Sequence, residues 1–318
     1  MRNHGPVPDS GPAALRVDGL VREPLSLTAG DLRERFEPAG LTATLQCAGN
    51  RRAGLIAVRD IPGEAPWGPG ATGTARWRGA RLRDVLAAAG VADGAAHVVF
   101  HGADRAEEAD PPQPFAGSIP LEKARRSEVL LAWEMNGEPL TAVHGAPLRA
   151  LVPGYIGARS VKWLTRVELS AEPCDGYFQA VAYRLLHPEE SPAPGAGDEL
   201  GEIALNSEVL SPPDGARVAA GEVELRGYAF AGGERHVTRV EVSLDGGHAW
   251  EDAELLDDLG RWAWRLWRHP VALAPGEHTV VVRAWDSAAA TQPEHAETVW
   301  NPKGYVNSAW GRVRLTAV

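Results

Sequence analysis

The sequence predicts two domains of different class, an α+β domain over residues 1–195 and an all-β sandwich of immunoglobulin type over residues 203–318. Three observations carry that division. A chain of 318 residues has room for two domains, at ~100–200 residues each. The stretch HPEESPAPGAGDELGE (187–202) is rich in Pro, Gly and Glu and has no hydrophobic period, which marks a boundary. Upstream of it, helical and strand periodicities mix; downstream, only period-two runs remain.

The upstream elements follow from local pattern. LTATLQC (41–47) alternates, with Leu41, Ala43, Leu45 and Cys47 on one face, and reads as a strand. RLRDVLAAAGV (81–91) places Leu82, Val85, Leu86 and Ala89 on one helical face and stops at Gly90. EVLLAWEMNGEPL (128–140) carries Asn136-Gly137, a strong short-range sign of a hairpin turn. HVVFHG and VKWLTRVELS read as two further strands, so this half holds more strand than helix. Downstream, GEVELRGYAF, HVTRVEVSLDGGHAWEDAEL, RWAWRLW and HTVVVRAWD are strands separated by turns such as Asp245-Gly246-Gly247. Short strands at that spacing predict an antiparallel sandwich, although the Cys…Trp…Cys spacing of true immunoglobulin domains is absent. Trp262, Trp264 and Trp267 are expected to serve core and interface packing.

Composition narrows the function. The formal charge is −10 at pH 7, which argues against nucleic acid or an anionic membrane surface as partner. No run approaches the ~18 apolar residues of a membrane-spanning helix. The N-terminal MRNHGPVPDSGPAAL lacks a charged region followed by an apolar one, so the chain as written is expected to be cytoplasmic, or periplasmic if an export signal has been removed. Two cysteines far apart make no disulfide framework.

One of those cysteines sits in LQCAGNRRAGL (45–55), at the end of a strand and ahead of two arginines. Cys47 has three readings. It is a small buried hydrophobe, the commonest fate of a free cysteine; or a nucleophile with His144 or His4 as base, its pKa lowered by the arginines; or a thiolate ligand to a soft metal. A lone cysteine cannot build a zinc or iron–sulfur site, which needs about four protein ligands. As a sole protein ligand it requires a metal whose other positions a cofactor fills.

The string LQCAGNRR closely resembles the cofactor motif of the sulfite oxidase family, molybdenum enzymes that include eukaryotic assimilatory nitrate reductase. RNHGPVP (2–8), TARWRGARLRDVL (74–86), HGAPLRALVPGYIGARSVKWL (144–164), YAFAGGERHVTRVEVSLDGGHAW (228–250) and RAWDSAAATQPEHAETVWNPKGYVNSAWGRV (283–313) resemble further family blocks in family order. The resemblance covers nearly the whole chain. It implies that the first domain binds molybdopterin and that the sandwich dimerises two chains.

Residue by residue, the resemblance makes Cys47 the thiolate ligand of molybdenum, with a pterin dithiolene supplying two further sulfurs. Arg149 and Lys162 stand at the positions that hold the pterin phosphate, a role suited to the planar guanidinium fork. His144, Ser160 and Val161 join the pterin pocket, and Arg2, Asn3, His4 and Asp104 occupy matching cofactor positions. At the substrate, the resemblance assigns Arg2 and Arg52 as pocket cations, Trp67 as a residue that excludes water, and Tyr183 as a hydroxyl donor. Lys303 stands in WNPKG where sulfite oxidases carry WN-x-R-G. It keeps the positive charge and loses the bidentate fork; nitrate reductases have an apolar residue there. Arg51 and Cys174 receive no assigned role.

The implied activity is oxygen-atom transfer that oxidises sulfite, or a similar small oxyanion, to sulfate. The implied cofactor is Mo-molybdopterin without haem in this chain, since no C-x-x-C-H site is present. The electron acceptor would be a separate cytochrome c or dioxygen. The alternatives are a reductase of nitrate or an S-oxide on the same fold, and a metal-free binding protein derived from it.

Overall fold

The computed structural model describes residues 5–8 and 14–318. Arg2, Asn3 and His4 lie outside the described residues. The chain divides into two compact units, one of Met1–Ala48 with Ala75–Gly201, the other of Gly49–Thr74 with Glu202–Val318. The covalent boundary between Ala48 and Gly49 falls inside the CAGNRR motif. Residues 49–74 therefore group with the C-terminal residues, although sequence pattern alone placed them in the first domain.

The first unit is built on two sheets. One runs in the order Leu25–Leu27, Leu15–Gly19, Leu164–Ser170, His97–Ala106, Gln113–Pro120. Its Leu15–Gly19 strand lies parallel to Leu164–Ser170, with Val17 opposite Val167. The other contains Pro38–Gln46, Thr72–Arg81, Leu130–Met135 and Glu138–Pro139, with Arg149–Leu151 paired to Leu130–Met135. The helix Leu82–Ala89 buries Leu82, Val85, Leu86 and Ala89 and ends at Gly90, φ 68°, as its period required. The hairpin turns at Asn136 (φ 56°) and Gly137 (φ 86°), the left-handed pair of a type I′ turn.

Two upstream expectations need correction. The strand Pro38–Gln46 buries Thr44 and Gln46 and leaves Leu45 and Cys47 half-buried, so the apolar face does not alone point inward. Both faces are covered near this end of the strand, and alternation then loses its meaning. The VKWLTRVELS strand begins only at Leu164. Trp163 adopts φ 49°, and the Val161 carbonyl accepts from the Ala150 N–H, which takes 161–163 out of the ladder.

The second unit is a sandwich. One sheet orders Asn206–Ser211, Gly221–Phe230, Arg265–Leu273, Glu254–Leu255; the other Ala216–Val218, Gly311–Ala317, Gly276–Asp286, Val237–Ser243, Glu251–Asp252. Inward residues of both sheets, among them Leu225, Val240, Val280, Val313 and Trp267, form one core, the arrangement of aligned sandwiches. The Asp245 turn holds as expected, with Asp245 Oδ1 accepting from the N–H groups of His248 and Ala249. RWAWRLW behaves differently: the strand starts at Arg265, and Trp262 and Trp264 precede it, half-buried. Only Trp267 of the three is in the core.

Candidate active site

The Pro38–Gln46 strand delivers Cys47 to its position. Gln46 bridges Ile156 in parallel, and Gly157 follows in a 3-10 turn, Gly157–Arg159. A Cβ on Gly157 would lie 3.2 Å from the Gln46 carbonyl oxygen, so a small residue there lets the turn close on the strand end. Cys47 is a free, half-buried thiol. Among the described residues no group of three or more His, Cys, Asp or Glu side chains could hold a metal ion. A metal at Cys47 would thus take its remaining ligands from a cofactor.

The same unit gathers cations and one acid. Arg149, on the strand Arg149–Leu151, is fully buried and donates to the carbonyls of His144 and Ser160, each at 3.0 Å. Burial pushes its pKa down to about 9. Lys162 donates to the Val143 carbonyl at 3.1 Å and lies 4.3 Å from the centre of the Trp163 ring. Burial, then the charge of Arg149, pushes Lys162 down to about 8, with Asp104 pulling the other way. His144 pairs with the Thr141 hydroxyl at 2.8 Å, and its pKa is lowered by burial and by Arg149 and Lys162. Ser160 accepts from the Val152 N–H at 3.0 Å, and Val161 is buried beside it. Asp104 is raised to about 6 by burial, and its Oδ1 is buried with no hydrogen-bond partner among the described residues.

These observations fit the implied cofactor. Cations that repel one another in a desolvated cluster gain most from a bound dianion, which restores their proton affinity. The Asp104 oxygen offers a buried acceptor that the described residues leave unmet, and a pterin ring carries N–H groups that would meet it. Arg149, Lys162, His144, Ser160 and Asp104 could therefore hold a phosphorylated heterocycle, with Cys47 free for the metal.

Tyr183 stands at the end of a π-helical turn, Phe178–Ala182, with its ring 5.8 Å from that of Phe178. It is buried, and so is Arg159, a cation that sequence reasoning passed over. Arg159 Nη2 donates to the Leu200 carbonyl at 2.8 Å and pairs with Glu199 at 3.3 Å. Its Nε is buried without a hydrogen-bond partner among the described residues. Burial lowers its pKa, opposed by Glu199 first and by Cys174 and Tyr183 among others. Gln179 ties this group together, donating to Glu199 and to the Ser118 hydroxyl while its carbonyl accepts from the Ser118 N–H. A cation set among small and apolar residues in GYIGARSV was the available signal. Cys174 is buried nearby, its pKa raised by burial and its sulfur accepting from the Gly176 N–H at 3.4 Å, so it packs as a structural residue.

The second unit holds the remaining candidates. Arg51 opens the short helix Arg52–Ile56 with φ 64°. It is tied to Glu208 at 2.9 Å and to the carbonyls of Asn307 and Ala309, which makes it a structural pin. Asn50 bridges the Tyr228 hydroxyl and the Ala71 N–H. Arg52 is buried and donates to the carbonyls of Lys303, Gly304 and Ala65. A Cβ on Gly49 or on Gly304 would come within 2.5 Å of its side chain, so both glycines are needed for its seat. Arg52 also pairs with Glu64 at 3.1 Å, and the Lys303 ammonium donates to the same carboxylate. Trp67 is half-exposed, and its carbonyl accepts from the Ala53 N–H. Two cations expected to face an oxyanion thus share an internal carboxylate, which sequence reasoning did not foresee.

Comparison with known proteins fits this geometry. Residues 4–178 match the family model "Oxidoreductase molybdopterin binding domain" and residues 198–318 match "Mo-co oxidoreductase dimerisation domain". The sulfite oxidase of Gallus gallus is 44% identical, over 98% of this chain and 70% of its own length. The mitochondrial sulfite oxidase of Homo sapiens is 42% identical, over 99% of this chain and 60% of its own length. The crystal structure of the sulfane dehydrogenase SoxCD from Paracoccus pantotrophus superposes with a TM-score of 0.80 at 28% identity, covering 94% of this chain and 74% of that one. With both domain models in order along the chain and identity of this extent, the chain belongs to the sulfite oxidase family of molybdopterin-binding oxidoreductases.

Proposed function

We propose that this chain oxidises sulfite to sulfate, taking an oxygen atom from water and releasing two protons and two electrons. The observation that carries the reading is the buried cluster of Arg149, Lys162 and the unmet Asp104 oxygen in the unit whose strand presents Cys47. The molybdenum cofactor, when bound, supplies the two-electron couple and the oxygen-transfer chemistry.

The protein's own residues hold and tune it. The Cys47 thiolate is a soft donor matched to a metal that changes oxidation state. Arg149 and Lys162 hold the phosphate, Asp104 accepts from the heterocycle, and Ser160 and Val161 fix the backbone that carries Lys162. Tyr183 provides a hydroxyl that hydrogen-bonds the substrate, and Arg52, Lys303 and Trp67 form the substrate-facing group of the second unit. Arg2, Asn3 and His4 keep the roles that the resemblance implies. The catalytic domain is residues 1–195 and the dimerisation domain 203–318, with two chains pairing through the sandwich. Electrons leave to a separate cytochrome c or to dioxygen. Among the described residues no helix is long and apolar enough to cross a membrane.

The test is metal analysis of protein made in a molybdopterin-competent strain, followed by sulfite added to the oxidised protein without acceptor. One molybdenum per chain and bleaching of the thiolate-to-metal absorption are expected. A metal-free protein, or a molybdenum protein that sulfite leaves oxidised, would overturn the reading.

A further inference from the structure

Glu64 is placed by a turn that its sequence specifies. In DIPGEAPW, Pro62 and Gly63 take the two central positions, Gly63 has φ 80°, and the Glu64 N–H closes on the Ile61 carbonyl at 3.4 Å. Proline followed by a left-handed glycine is the pattern of a type II turn. The side chain that follows is therefore directed by backbone geometry. Its carboxylate meets Arg52 Nη2 at 3.1 Å through Oε2 and the Lys303 ammonium through Oε1, so each oxygen faces one cation.

The guanidinium is otherwise committed. Arg52 spends Nε on the carbonyls of Lys303 and Gly304 and one Nη1 hydrogen on that of Ala65. Its side chain is 4% exposed, while those of Glu64 and Lys303 are 18% and 23% exposed. Solvent thus reaches this ion triad past the carboxylate and the ammonium, with the guanidinium behind them. A carboxylate is itself a two-oxygen anion, of the same planar reach as one edge of a small oxyanion.

We propose that Glu64 is a specificity-determining residue, an internal carboxylate that occupies the anion-binding face of Arg52 and Lys303 and must be displaced by the substrate. This rests on the reading that Arg52 and Lys303 face the substrate oxyanion. Displacement exchanges one negative charge for the charge of the incoming ion. A doubly charged oxyanion with two oxygens to span both cations gains over the carboxylate, whereas chloride and other monovalent ions only replace it. Glu64 thereby raises the threshold for monoanions more than for sulfite or sulfate, and it tunes the affinity of a cation pair in which Lys303 has no fork.

The experiment uses the molybdenum-loaded protein and its Glu64→Gln variant, with sulfate and chloride as probes. Equilibrium sulfate binding is read by titration calorimetry and requires no turnover. Kinetics with sulfite give KM, kcat and inhibition by chloride. Loss of the competing charge should tighten sulfate about tenfold, which is ~1.4 kcal/mol. Chloride inhibition should strengthen by a larger factor, and KM for sulfite should fall by more than kcat changes. Glu64→Asp, which keeps the charge on a shorter arm, should shift sulfate in the same direction by less, and it serves if the glutamine variant does not fold. Unchanged or weaker sulfate binding in either variant, with a lowered Tm, would make Glu64 a structural counter-ion and overturn the proposal. Wild-type protein that holds molybdenum and ignores sulfite would sink the function reading instead, and the sulfate titration would still report on Glu64.

Discussion

Asp104→Asn should stabilise the cofactor-free protein at neutral pH, and the gain should give way to a small loss in acid. Burial raises the Asp104 carboxyl from 3.8 to about 6, so the folded state holds its proton where the unfolded state has lost it. Stability is then full below the unfolded value, falls as pH rises between the two, and stays reduced above about 6. The gap is worth about 3 kcal/mol at ~1.4 kcal/mol per unit. An amide is neutral throughout, and since it must bury an N–H₂ group where a carboxylate stood, about 2 kcal/mol of that should be recovered. For a unit of this size that is about 4–8 °C in Tm. The assay is thermal unfolding of wild type and variant from cells unable to make molybdopterin, between pH 4 and 8. The Tm difference should open in the variant's favour as pH rises and turn slightly against it near pH 4. A difference that does not change with pH, or a variant less stable at pH 8, would refute the reasoning. In cofactor-loaded protein the effect should reverse, because the pterin N–H groups would lose their charged acceptor, and molybdenum content should drop.

Further outcomes follow from the same geometry. Lys162 is pushed down to about 8, so cofactor uptake by the cofactor-free protein should weaken as pH rises through that value. Lys162→Met should bind more weakly at pH 7 and lack this dependence, as measured by molybdenum retained after gel filtration. Cys174→Ala should retain wild-type oxidase activity and molybdenum content, because the Cys174 sulfur is buried in a backbone contact; loss of metal with the fold intact would contradict its structural role. Light scattering at micromolar concentration should give the mass of two chains, and a monomer mass would count against pairing through the sandwich.

Local chemistry made much of the fold legible. The helix over 82–89 and its stop at Gly90, the Asn136-Gly137 turn and the Asp245 turn depend on a few neighbouring residues, and their patterns were sufficient. Long-range choice was not legible. Residues 49–74 follow Cys47 directly, yet pack with residues 202–318, because Arg51 is pinned by Glu208, Asn307 and Ala309 and Asn50 by Tyr228. The family motifs named the cation positions. Nothing in them indicated that Glu64 would pair with both Arg52 and Lys303, from a position twelve residues beyond one and far from the other in sequence. Arg159 and Glu199 escaped for the same reason: they stand forty residues apart and meet only through the fold, as an ion pair at 3.3 Å with Gln179 and the Leu200 carbonyl beside it. Alternation misassigned the end of the Pro38–Gln46 strand, since a strand covered on both faces buries Thr44 and Gln46 as readily as Ala43.

The central claim is that Cys47 is the protein's ligand to molybdenum, and Cys47→Ser tests it most directly. A hydroxyl or alkoxide is a hard donor with poor affinity for the reduced metal, in a half-buried position that serine fits without steric change. The variant, made alongside wild type in a molybdopterin-competent strain, should show native circular dichroism, no thiolate-to-metal absorption and no sulfite oxidation above background. Sulfite turnover near the wild-type rate, with molybdenum retained, would contradict the account.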